Sequence, residues 1–298
     1  MCATCGCSDP AGPRLTEVHP GASEHGHEHA HEHEHAHGHE HAHGHGHGHG
    51  GLRHRHGDES GHGRPARSAP SADSGADEQT VVLEEQVLAK NDRLAERNRA
   101  WLDERGILAV NLMSSPGSGK TTLLERTVRE LGPDVPVSVI EGDQETLIDA
   151  ERLRATGCAA VQINTGAGCH LDAAMLESGL HRLDPAPASA VFVENVGNLV
   201  CPALFDLGES CRVVICSVTE GADKPLKYPH MFRAADLILV NKADLLPHLD
   251  FDADFFTDCV RRVNPGADLL WISAARGEGL DTWYTWLHKR MPDPAVTS

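Results

Sequence analysis

The sequence has no excess of basic residues. Its 26 lysines and arginines face 44 aspartates and glutamates, which gives a formal net charge of -18. Binding to nucleic acid or to an anionic membrane depends on clustered basic side chains that displace counterions, and no basic stripe stands out here. The composition therefore excludes a general nucleic-acid-binding or membrane-surface protein, and we expect no nucleic acid and no membrane among its partners.

Long apolar runs are missing as well. No stretch is long enough to suggest a membrane span, and the first residues, MCATCGC, have neither the charged start nor the apolar middle of a secretory signal. We therefore expect a cytoplasmic protein. In a reducing compartment, an odd count of nine cysteines is better explained by metal ligands and core residues than by a disulfide framework.

Large apolar side chains are nearly absent from residues 1–79, where His, Gly, Glu, Ser and Pro dominate. Such a segment cannot bury enough surface to fold alone. The sequence thus predicts a largely disordered tail over residues 1–79 and a folded domain over residues 80–298. A helix is expected at about 81–105, with Val87, Leu94 and Trp101 on a stripe that packs against a sheet.

Within the folded part, strand-like apolar runs alternate with helical segments. This alternation predicts an α/β fold in which a mostly parallel sheet of roughly seven strands is covered by helices on both faces. The expected strands are 107–113, 135–141, 159–164, 190–194, 212–218, 237–240 and 269–272. Helices are expected to begin near Lys120, Thr146, Leu171, Phe232, Asp252 and Gly279.

A glycine-rich segment, SSPGSGKTT at residues 114–122, lies between the first expected strand of this fold and a helix. A strand that ends in such a turn and opens a helix directs backbone N–H groups at polyphosphate. Lys120 can reach the terminal phosphates, and the hydroxyl of Thr121 can bind Mg²⁺. Ser114 stands where the usual pattern has glycine. The predicted phosphate-binding residues are Gly117, Ser118, Gly119, Lys120, Thr121 and Thr122.

A second motif indicates which base is bound. Asn241, Lys242 and Asp244 follow a strand-like run, at an edge where open α/β sheets bind ligands. The carboxylate of Asp244 can accept two hydrogen bonds from guanine, whereas adenine offers neither donor at that position. Ser273 and Ala274 follow the last strand-like run and resemble the short loop that lies behind guanine in GTPases. The predicted nucleotide is therefore GTP.

Three thiols open the chain, at Cys2, Cys5 and Cys7. Thiolates select ions such as Ni²⁺, Zn²⁺ and Cu⁺ over Mg²⁺ or Ca²⁺. A redox role is the alternative for such a pair of cysteines, but no thioredoxin-like strand precedes them. A metal site is the favoured interpretation.

A histidine-rich tract covers residues 25–62, and every second residue from 25 to 49 is histidine. Near pH 7 these imidazoles are mostly neutral, and their Gly, Ala and Glu spacers allow many coordination geometries. Such a tract is typical of a flexible metal-storage segment. Intrinsic affinity for nitrogen ligands would favour Cu²⁺, Ni²⁺ and Zn²⁺ without choosing among them.

A further group of metal-ligand residues lies inside the folded domain. Cys169 and His170 follow a glycine-rich turn, and Cys201 lies seven residues after Glu194. An isolated Cys-His pair is more often a small buried residue beside a surface histidine. The segment 194–197, Glu-Asn-Val-Gly, resembles the acidic-x-x-Gly segment that senses the γ-phosphate in GTPases, so a metal on Cys201 would respond to the nucleotide state. Three protein ligands leave a place for water or a second subunit. The other four cysteines, Cys158, Cys211, Cys216 and Cys259, are expected in or beside the core.

Taken together these motifs resemble the HypB family, the hydrogenase nickel incorporation GTPases. The resemblance runs over nearly the whole chain and includes the N-terminal cysteines, the phosphate-binding loop, the Gly-Cys-His turn at residues 168–170, residues 194–202, the KPLKYP segment at 224–229 and the Asn-Lys-Ala-Asp motif at 241–244. It implies a slow GTPase that works with a zinc-binding HypA-type accessory protein. Together they would load nickel into the large subunit of a [NiFe]-hydrogenase.

The resemblance also implies roles for individual residues. Cys2, Cys5 and Cys7 would form an N-terminal nickel site. Cys169, His170 and Cys201 would form a second site, for nickel or zinc, near a homodimer interface favoured by GTP. Thr121, Asp143 and Glu194 would serve Mg²⁺ or position the attacking water, and Lys120 would stabilise charge on the γ-phosphate.

Three other functions remain open at this point. A urease-type nickel chaperone GTPase would share the loop motifs, but its ligands lie in a Cys-Pro-His triplet, whereas Ala203 follows Cys201 and Pro202 here. A nickel or zinc storage protein with a vestigial nucleotide site would not hydrolyse GTP. An ATP-dependent kinase or ligase would have no need for the guanine-reading motif, and nucleotide competition separates it from the others.

Overall fold

A computed structural model of the protein describes residues 14–18, 74–143, 152–153, 155–166 and 168–291. The backbone divides into two units, residues 1–22 with 78–298 and residues 23–77. The described strands and helices belong to the first unit, apart from the opening residues of the first helix. Among the described residues, no helix is long and apolar enough to cross a membrane.

One sheet of eight strands forms the centre of the fold. In chain order its strands are β1 Arg14–Val18, β2 Leu108–Ser114, β3 Val137–Asp143, β4 Ala159–Asn164, β5 Ala190–Glu194, β6 Cys211–Ser217, β7 Leu237–Asn241 and β8 Asp268–Trp271. Their order across the sheet is β1-β4-β3-β5-β2-β6-β7-β8. Strands β2 to β8 pair in parallel, which confirms the seven predicted parallel strands.

Helices connect these strands. They are α1 Ser74–Glu104, α2 Lys120–Leu131, α3 Ala173–Leu183, α4 Lys224–Lys227, α5 Pro229–Arg233, α6 Ala253–Val263 and α7 Leu280–His288, with 3-10 turns at Cys201–Ala203, Val218–Glu220 and Ala243–His248. Four predicted helix starts are confirmed to within two residues. The predicted start near Phe232 is wrong, because prolines at the first turns of α4 and α5 begin short helices earlier. The predicted start near Thr146 lies outside the described residues.

Helices cover both faces of the sheet. Along β2, Val110 packs with α2 and α7 in one buried cluster that includes Trp283. Ala109 faces the other way and packs with Leu102 of α1 and Leu176 of α3. This alternation is the period of two that a strand imposes, and it confirms the predicted three-layer α/β fold.

The edge strand β1 is an element that the sequence analysis did not predict. It pairs antiparallel with β4, with Arg14 opposite Asn164 and Val18 opposite Ala160. A run of five residues with little apolar periodicity gives no local signal for a strand. Its pairing depends on β4, which lies more than 140 residues further along the chain, and that distant partner is invisible to local pattern analysis.

The buried face of α1 also differs from the predicted stripe. Val87 is 48% exposed, whereas Asn91, Ala95, Asn98 and Leu102 are buried. Trp101 of the predicted stripe is partly buried against the cluster on this face of the sheet, as expected, but the two asparagines occupy positions where apolar residues would usually lie. The predicted stripe is therefore wrong at Val87, and the buried face of α1 carries hydrogen-bonding groups as well as apolar ones.

Candidate functional site

A cleft of about 570 Å³ opens at the carboxyl ends of the parallel strands. Its walls are residues 116–122, Glu141, Arg152, the segment 194–197 and Lys242. All six predicted phosphate-binding residues therefore line one cavity. Its volume is in the range of small-molecule sites, and its position is where open α/β sheets bind ligands.

Gly119 allows the phosphate-binding loop to touch the base-reading strand. Its φ of 97° is left-handed, and a Cβ there would lie 2.4 Å from Nδ2 of Asn241. That nitrogen donates to the carbonyl oxygen of Ser118 at 2.8 Å. The ammonium of Lys242 donates to the carbonyl oxygen of Gly117 at 2.8 Å. Any larger residue at position 119 would separate two motifs that are joined by hydrogen bonds.

Ser114 takes part in the loop although it departs from the usual glycine. It ends β2 and is fully buried. Its Oγ accepts a hydrogen bond from Nζ of Lys120 at 2.9 Å and donates to the carbonyl oxygen of Ser115 at 2.7 Å. The serine thus gives the lysine a polar partner at the base of the loop. A glycine there could not do so.

Two carboxylates lie beside the first turn of α2. The hydroxyl of Thr121 donates to Oε1 of Glu194 at 2.9 Å, and Glu194 is directly paired in register with Glu141 of β3. Both glutamates are buried and line the cleft. Hydroxyl and carboxylate oxygens suit a hard divalent cation, so these residues fit Mg²⁺. Asp143 ends β3 at the same edge of the sheet, but its side chain lies outside the described part.

The residues predicted to read guanine also lie together. Asn241 accepts a hydrogen bond from the backbone N–H of Ala274 at 2.9 Å, which joins the two loops expected around the base. A hydrogen bond from Ser273 lowers the pKa of Asp244, and so does the guanidinium of Arg276, whose Nε lies 3.3 Å from Oδ2. Asp244 is therefore charged at neutral pH, as the reading of two guanine donors requires.

Cys169, His170 and Cys201 come together in space. Their ligand atoms all lie within 4.8 Å of one another, and Sγ of Cys169 is 3.6 Å from Nδ1 of His170. A tetrahedral ion with sulfur ligands at about 2.3 Å would space them about 3.8 Å apart, so a small adjustment closes the group around an ion. A set of two sulfurs and one nitrogen favours nickel or zinc over Mg²⁺.

The surroundings of His170 keep its ring available for a metal. Burial lowers the pKa of His170, and the charge of Asp172 opposes this only in part. The ring stacks on Phe205, with centroids 3.9 Å apart and an interplanar angle of 27°. A neutral imidazole held in one orientation is the form that binds a metal ion.

Asn195 connects the nucleotide cleft with this metal-ligand group. Its Oδ1 accepts hydrogen bonds from the backbone N–H of Leu171 at 3.1 Å and of Val196 at 3.0 Å. Nearby, Nδ2 of Asn198 donates to the carbonyl oxygen of Cys169 at 3.4 Å. The segment that lines the nucleotide cleft therefore contacts the chain on both sides of His170.

Three residues of the cleft were missed by the sequence analysis. Glu141 lies two positions before the predicted site residue Asp143. Side chains two positions apart in a strand point to the same face, so this spacing could have indicated Glu141. Arg152 belongs to no motif, yet its guanidinium bonds the carboxylate of Glu125 at 3.2 and 3.0 Å and the hydroxyl of Thr122 at 3.2 Å. Asn195 belongs to the predicted segment 194–197, but its own role was not predicted, because its hydrogen-bond partner Leu171 is distant in sequence.

Some predicted residues fall outside this site. Cys2, Cys5, Cys7 and the histidine tract lie beyond the described residues, so their metal-binding role stays a prediction. The four remaining cysteines, Cys158, Cys211, Cys216 and Cys259, are buried as predicted. Burial raises the pKa of Cys211 to about 12 and also raises that of Cys216. These two thiols are core residues.

Comparison with known proteins places this site in a family. The model of the CobW/HypB/UreG nucleotide-binding domain matches residues 108–270, more than half of the chain. The hydrogenase maturation factor HypB of Escherichia coli strain K12 is 55% identical over 227 residues, which cover 76% of this chain and 77% of the relative. HypB of Rhizobium leguminosarum is 54% identical over 221 residues, 74% of each chain.

Solved structures agree with the sequence relatives. The structure of hydrogenase maturation factor HypB from Archaeoglobus fulgidus is 42% identical, with a TM-score of 0.64, and covers 68% of this chain and 100% of that one. HypB from Helicobacter pylori in complex with nickel is 36% identical, with a TM-score of 0.63, and covers 69% of this chain and 98% of that one. The chain therefore belongs to the HypB family of hydrogenase maturation factors, within the CobW/HypB/UreG group of nucleotide-binding proteins.

Proposed function

We propose that this protein is a GTP-hydrolysing nickel metallochaperone, which stores nickel and delivers it to the large subunit of a [NiFe]-hydrogenase during maturation. Its nucleotide state controls the delivery. The main support for the proposal is that one short segment connects the cleft with the metal-ligand group. Residues 194–201 begin in the nucleotide cleft at Glu194 and end in the metal-ligand group at Cys201.

The nucleotide chemistry follows from the residues of the cleft. Water attacks the γ-phosphorus of GTP, the bond to the β-γ bridging oxygen breaks, and GDP and inorganic phosphate leave. Lys120 and the backbone N–H groups of the loop stabilise the charge that develops on the phosphates. Mg²⁺, when bound, supplies further charge stabilisation at the hydroxyl of Thr121. Glu194, with Asp143 as a further candidate, orients that hydroxyl or the attacking water. We expect slow turnover, suited to timing a handover.

Nickel is the cargo in this proposal. Cys169, His170 and Cys201 would hold it, or zinc, with water or a second subunit as a fourth ligand. Since Cys201 is attached to the segment that would border the γ-phosphate, loss of that phosphate would change the affinity of the site for the ion. By linkage, the ion would alter nucleotide affinity by the same factor. The N-terminal cysteines and the histidine tract would supply a tight site and a store.

The proposed partners follow from this role. A HypA-type zinc and nickel accessory protein would work with this protein to load nickel into the hydrogenase large subunit. A homodimer favoured by GTP and metal would complete the ligand set. We propose a cytoplasmic location, because thiolate ligands must stay reduced. The support for these partners is membership of a family whose members carry the name hydrogenase maturation factor.

The decisive experiment measures nickel affinity in two nucleotide states. Nickel would be titrated into the full chain with Mg²⁺ and either a non-hydrolysable GTP analogue or GDP, and native mass spectrometry would report ion count and subunit number. We expect nickel affinity and dimer fraction to differ between the two states, and GTP hydrolysis to be measurable at saturating Mg²⁺. Equal affinities in both states would reject nucleotide control. An absence of hydrolysis would favour a storage protein.

A further inference from the structure

Helix α1 buries two polar side chains. Asn91 is 5% exposed and Asn98 is 3% exposed. Burying an amide costs free energy unless its groups are hydrogen-bonded. The partners of these two asparagines therefore show what this face of the helix holds in place.

Both asparagines bond to the same pair of chain segments. Nδ2 of Asn98 donates to the carbonyl oxygen of Ala173 at 2.9 Å and to that of Leu207 at 2.9 Å. Asn91 accepts from the backbone N–H of Ala173 at 2.9 Å and donates to the carbonyl oxygen of Asp206 at 2.7 Å. Each side chain thus bridges the start of α3 and the loop before β6.

These two segments carry the metal ligands. Ala173 lies three residues after His170, and Asp206 lies five residues after Cys201. Phe205, which stacks on the ring of His170, directly precedes Asp206. The distance between the two halves of the ligand group therefore depends on whatever holds these segments together.

The sheet alone does not set that distance. The ligands Cys169 and His170 follow β4, whereas Cys201 follows β5, and β3 lies between those two strands. The two segments thus come from strands that do not pair with each other. Hydrogen bonds of Asn195 and Asn198 join the two segments directly, and α1 adds a second bridge from outside the sheet.

The docking of α1 on the second segment is tight. The guanidinium of Arg99 bonds both carboxylate oxygens of Asp206, at 2.9 and 2.8 Å. Gly208 has a φ of 87°, and a Cβ there would lie 2.2 Å from the carbonyl oxygen of Ala95. A contact this close requires glycine, so α1 and the loop are fitted to each other in one register.

We infer that α1 is part of the metal site, and that Asn91 and Asn98 are positioning residues that hold the His170 segment and the Cys201 segment at ligand distance. This inference rests on the proposed function, in that it takes Cys169, His170 and Cys201 as a nickel site. Neither asparagine touches the ion. They act on its affinity through the separation of the two ligand-bearing segments.

The test uses the full chain in which Cys2, Cys5 and Cys7 are replaced by serine. Nickel is titrated in a chelator buffer while sulfur-to-nickel charge-transfer absorption is followed, because the histidine tract has no sulfur and is silent in that band. We expect Asn98→Ala to weaken nickel binding about tenfold, the lower end of the losses that follow when a direct outer partner of a metal ligand is removed, because Asn98 acts one step further from the ion. Nucleotide affinity should stay unchanged.

A matched control is available in Asn264. Its Nδ2 donates to the carbonyl oxygens of Phe232, Arg233 and Ala235, at 2.9, 3.2 and 2.8 Å, and none of these belongs to a ligand segment. Asn264→Ala should reduce stability in a similar way and leave nickel affinity within about twofold of the parent. Asn91→Ala, at a less enclosed position, provides a second variant if Asn98→Ala does not fold.

The outcomes separate the two proposals. The first measurement is whether the parent shows a sulfur-to-nickel charge-transfer band and whether Cys201→Ser removes it. If the band is absent, or if it persists in Cys201→Ser, the nickel site of the proposed function is wrong, and this inference is wrong with it. If the parent binds nickel and the folded Asn98 or Asn91 variant binds it as tightly as the Asn264 variant does, only this inference is overturned. A selective loss of nickel affinity in the α1 variants supports it.

Discussion

The hydroxyl of Thr121 donates to the carboxylate of Glu194 across 2.9 Å. This hydrogen bond joins the phosphate-binding loop to the segment that leads to Cys201. A hydroxyl that binds a cation does so through an oxygen lone pair and keeps its hydrogen for an acceptor. In the proposed GTPase, Glu194 would orient the lone pair of Thr121 toward Mg²⁺, and the same carboxylate starts the segment that ends at Cys201.

Replacing Glu194 by glutamine tests this arrangement. The amide keeps the shape of the side chain and can still accept from Thr121, but it loses the negative charge. We expect the rate of GTP hydrolysis to fall about a hundredfold, as when one preorganised electrostatic group is removed, while GTP affinity changes little. Single-turnover kinetics measures both. Glu130→Gln, at an exposed position of α2, is the control, and equal rates in the two variants would contradict the role of Glu194.

Asp244→Asn should change base specificity. The amide loses one acceptor for the guanine donors, so GTP binding should weaken about a hundredfold or more. Xanthosine triphosphate, which has a carbonyl in place of the 2-amino group, should bind the variant better than the parent. Nickel affinity at Cys169, His170 and Cys201 should stay within about twofold. Titration of all three ligands checks this, and a joint loss of nucleotide and nickel affinity would instead indicate misfolding.

Asn195→Ala should uncouple nucleotide state from nickel affinity. The substitution removes the bonds from Leu171 and Val196 and leaves two buried N–H groups without an acceptor, which should cost about 1–3 kcal/mol of stability each. The ratio of nickel dissociation constants in the GTP-analogue and GDP states should move toward one. An Asn195 variant that keeps the parent ratio would show that coupling runs through other residues.

The cysteines of the folded domain should differ in reactivity. Burial raises the pKa of Cys211 to about 12 and raises that of Cys216 as well, so neither forms thiolate near neutral pH. Cys169 and Cys201 are half-buried. Iodoacetamide followed by peptide mapping should label Cys169 and Cys201 first, and nickel should protect both. Early labelling of Cys216 would mean that this part of the sheet opens readily.

The ion pair between Asp206 and Arg99 should make stability fall in acid. Burial alone would raise the pKa of Asp206, but hydrogen bonds from Arg99 and from the backbone of Gly208 lower it below its usual value. A carboxyl with a lowered folded-state pKa stabilises the protein above its unfolded pKa of about 3.9, and this contribution is lost as the pH falls through the folded value.

Asp206→Asn should therefore lose less stability than the parent between pH 6 and pH 3, when the midpoint of urea unfolding is compared at each pH. Asp184→Asn is the control, because the Asp184 side chain is 79% exposed. Parallel curves for the parent and the Asp206 variant would show that this carboxyl does not contribute to acid unfolding.

Local pattern was sufficient for much of the fold. The inner parallel strands are largely buried on both faces, so each appears in the sequence as an apolar run. The edge strand β8 is only partly buried, but it also carries an apolar run, and all seven parallel strands were predicted. Helix starts at Lys120, Asp252 and Gly279 were visible because capping residues or turn glycines mark them. Where no such local mark exists, as at β1, the prediction missed the element.

The candidate site shows the same division. The sequence alone was sufficient to predict the phosphate-binding loop, the guanine-reading motif and the candidate metal ligands, because each prediction depends on residue types at short spacing. Tertiary structure decided that Cys201 meets Cys169 and His170, that Glu141 and Arg152 line the cleft, and that Asn91 and Asn98 bridge two loops. These contacts join residues about 30 to more than 110 positions apart, and only the packing of helices on the twisted sheet brings such residues within hydrogen-bond distance.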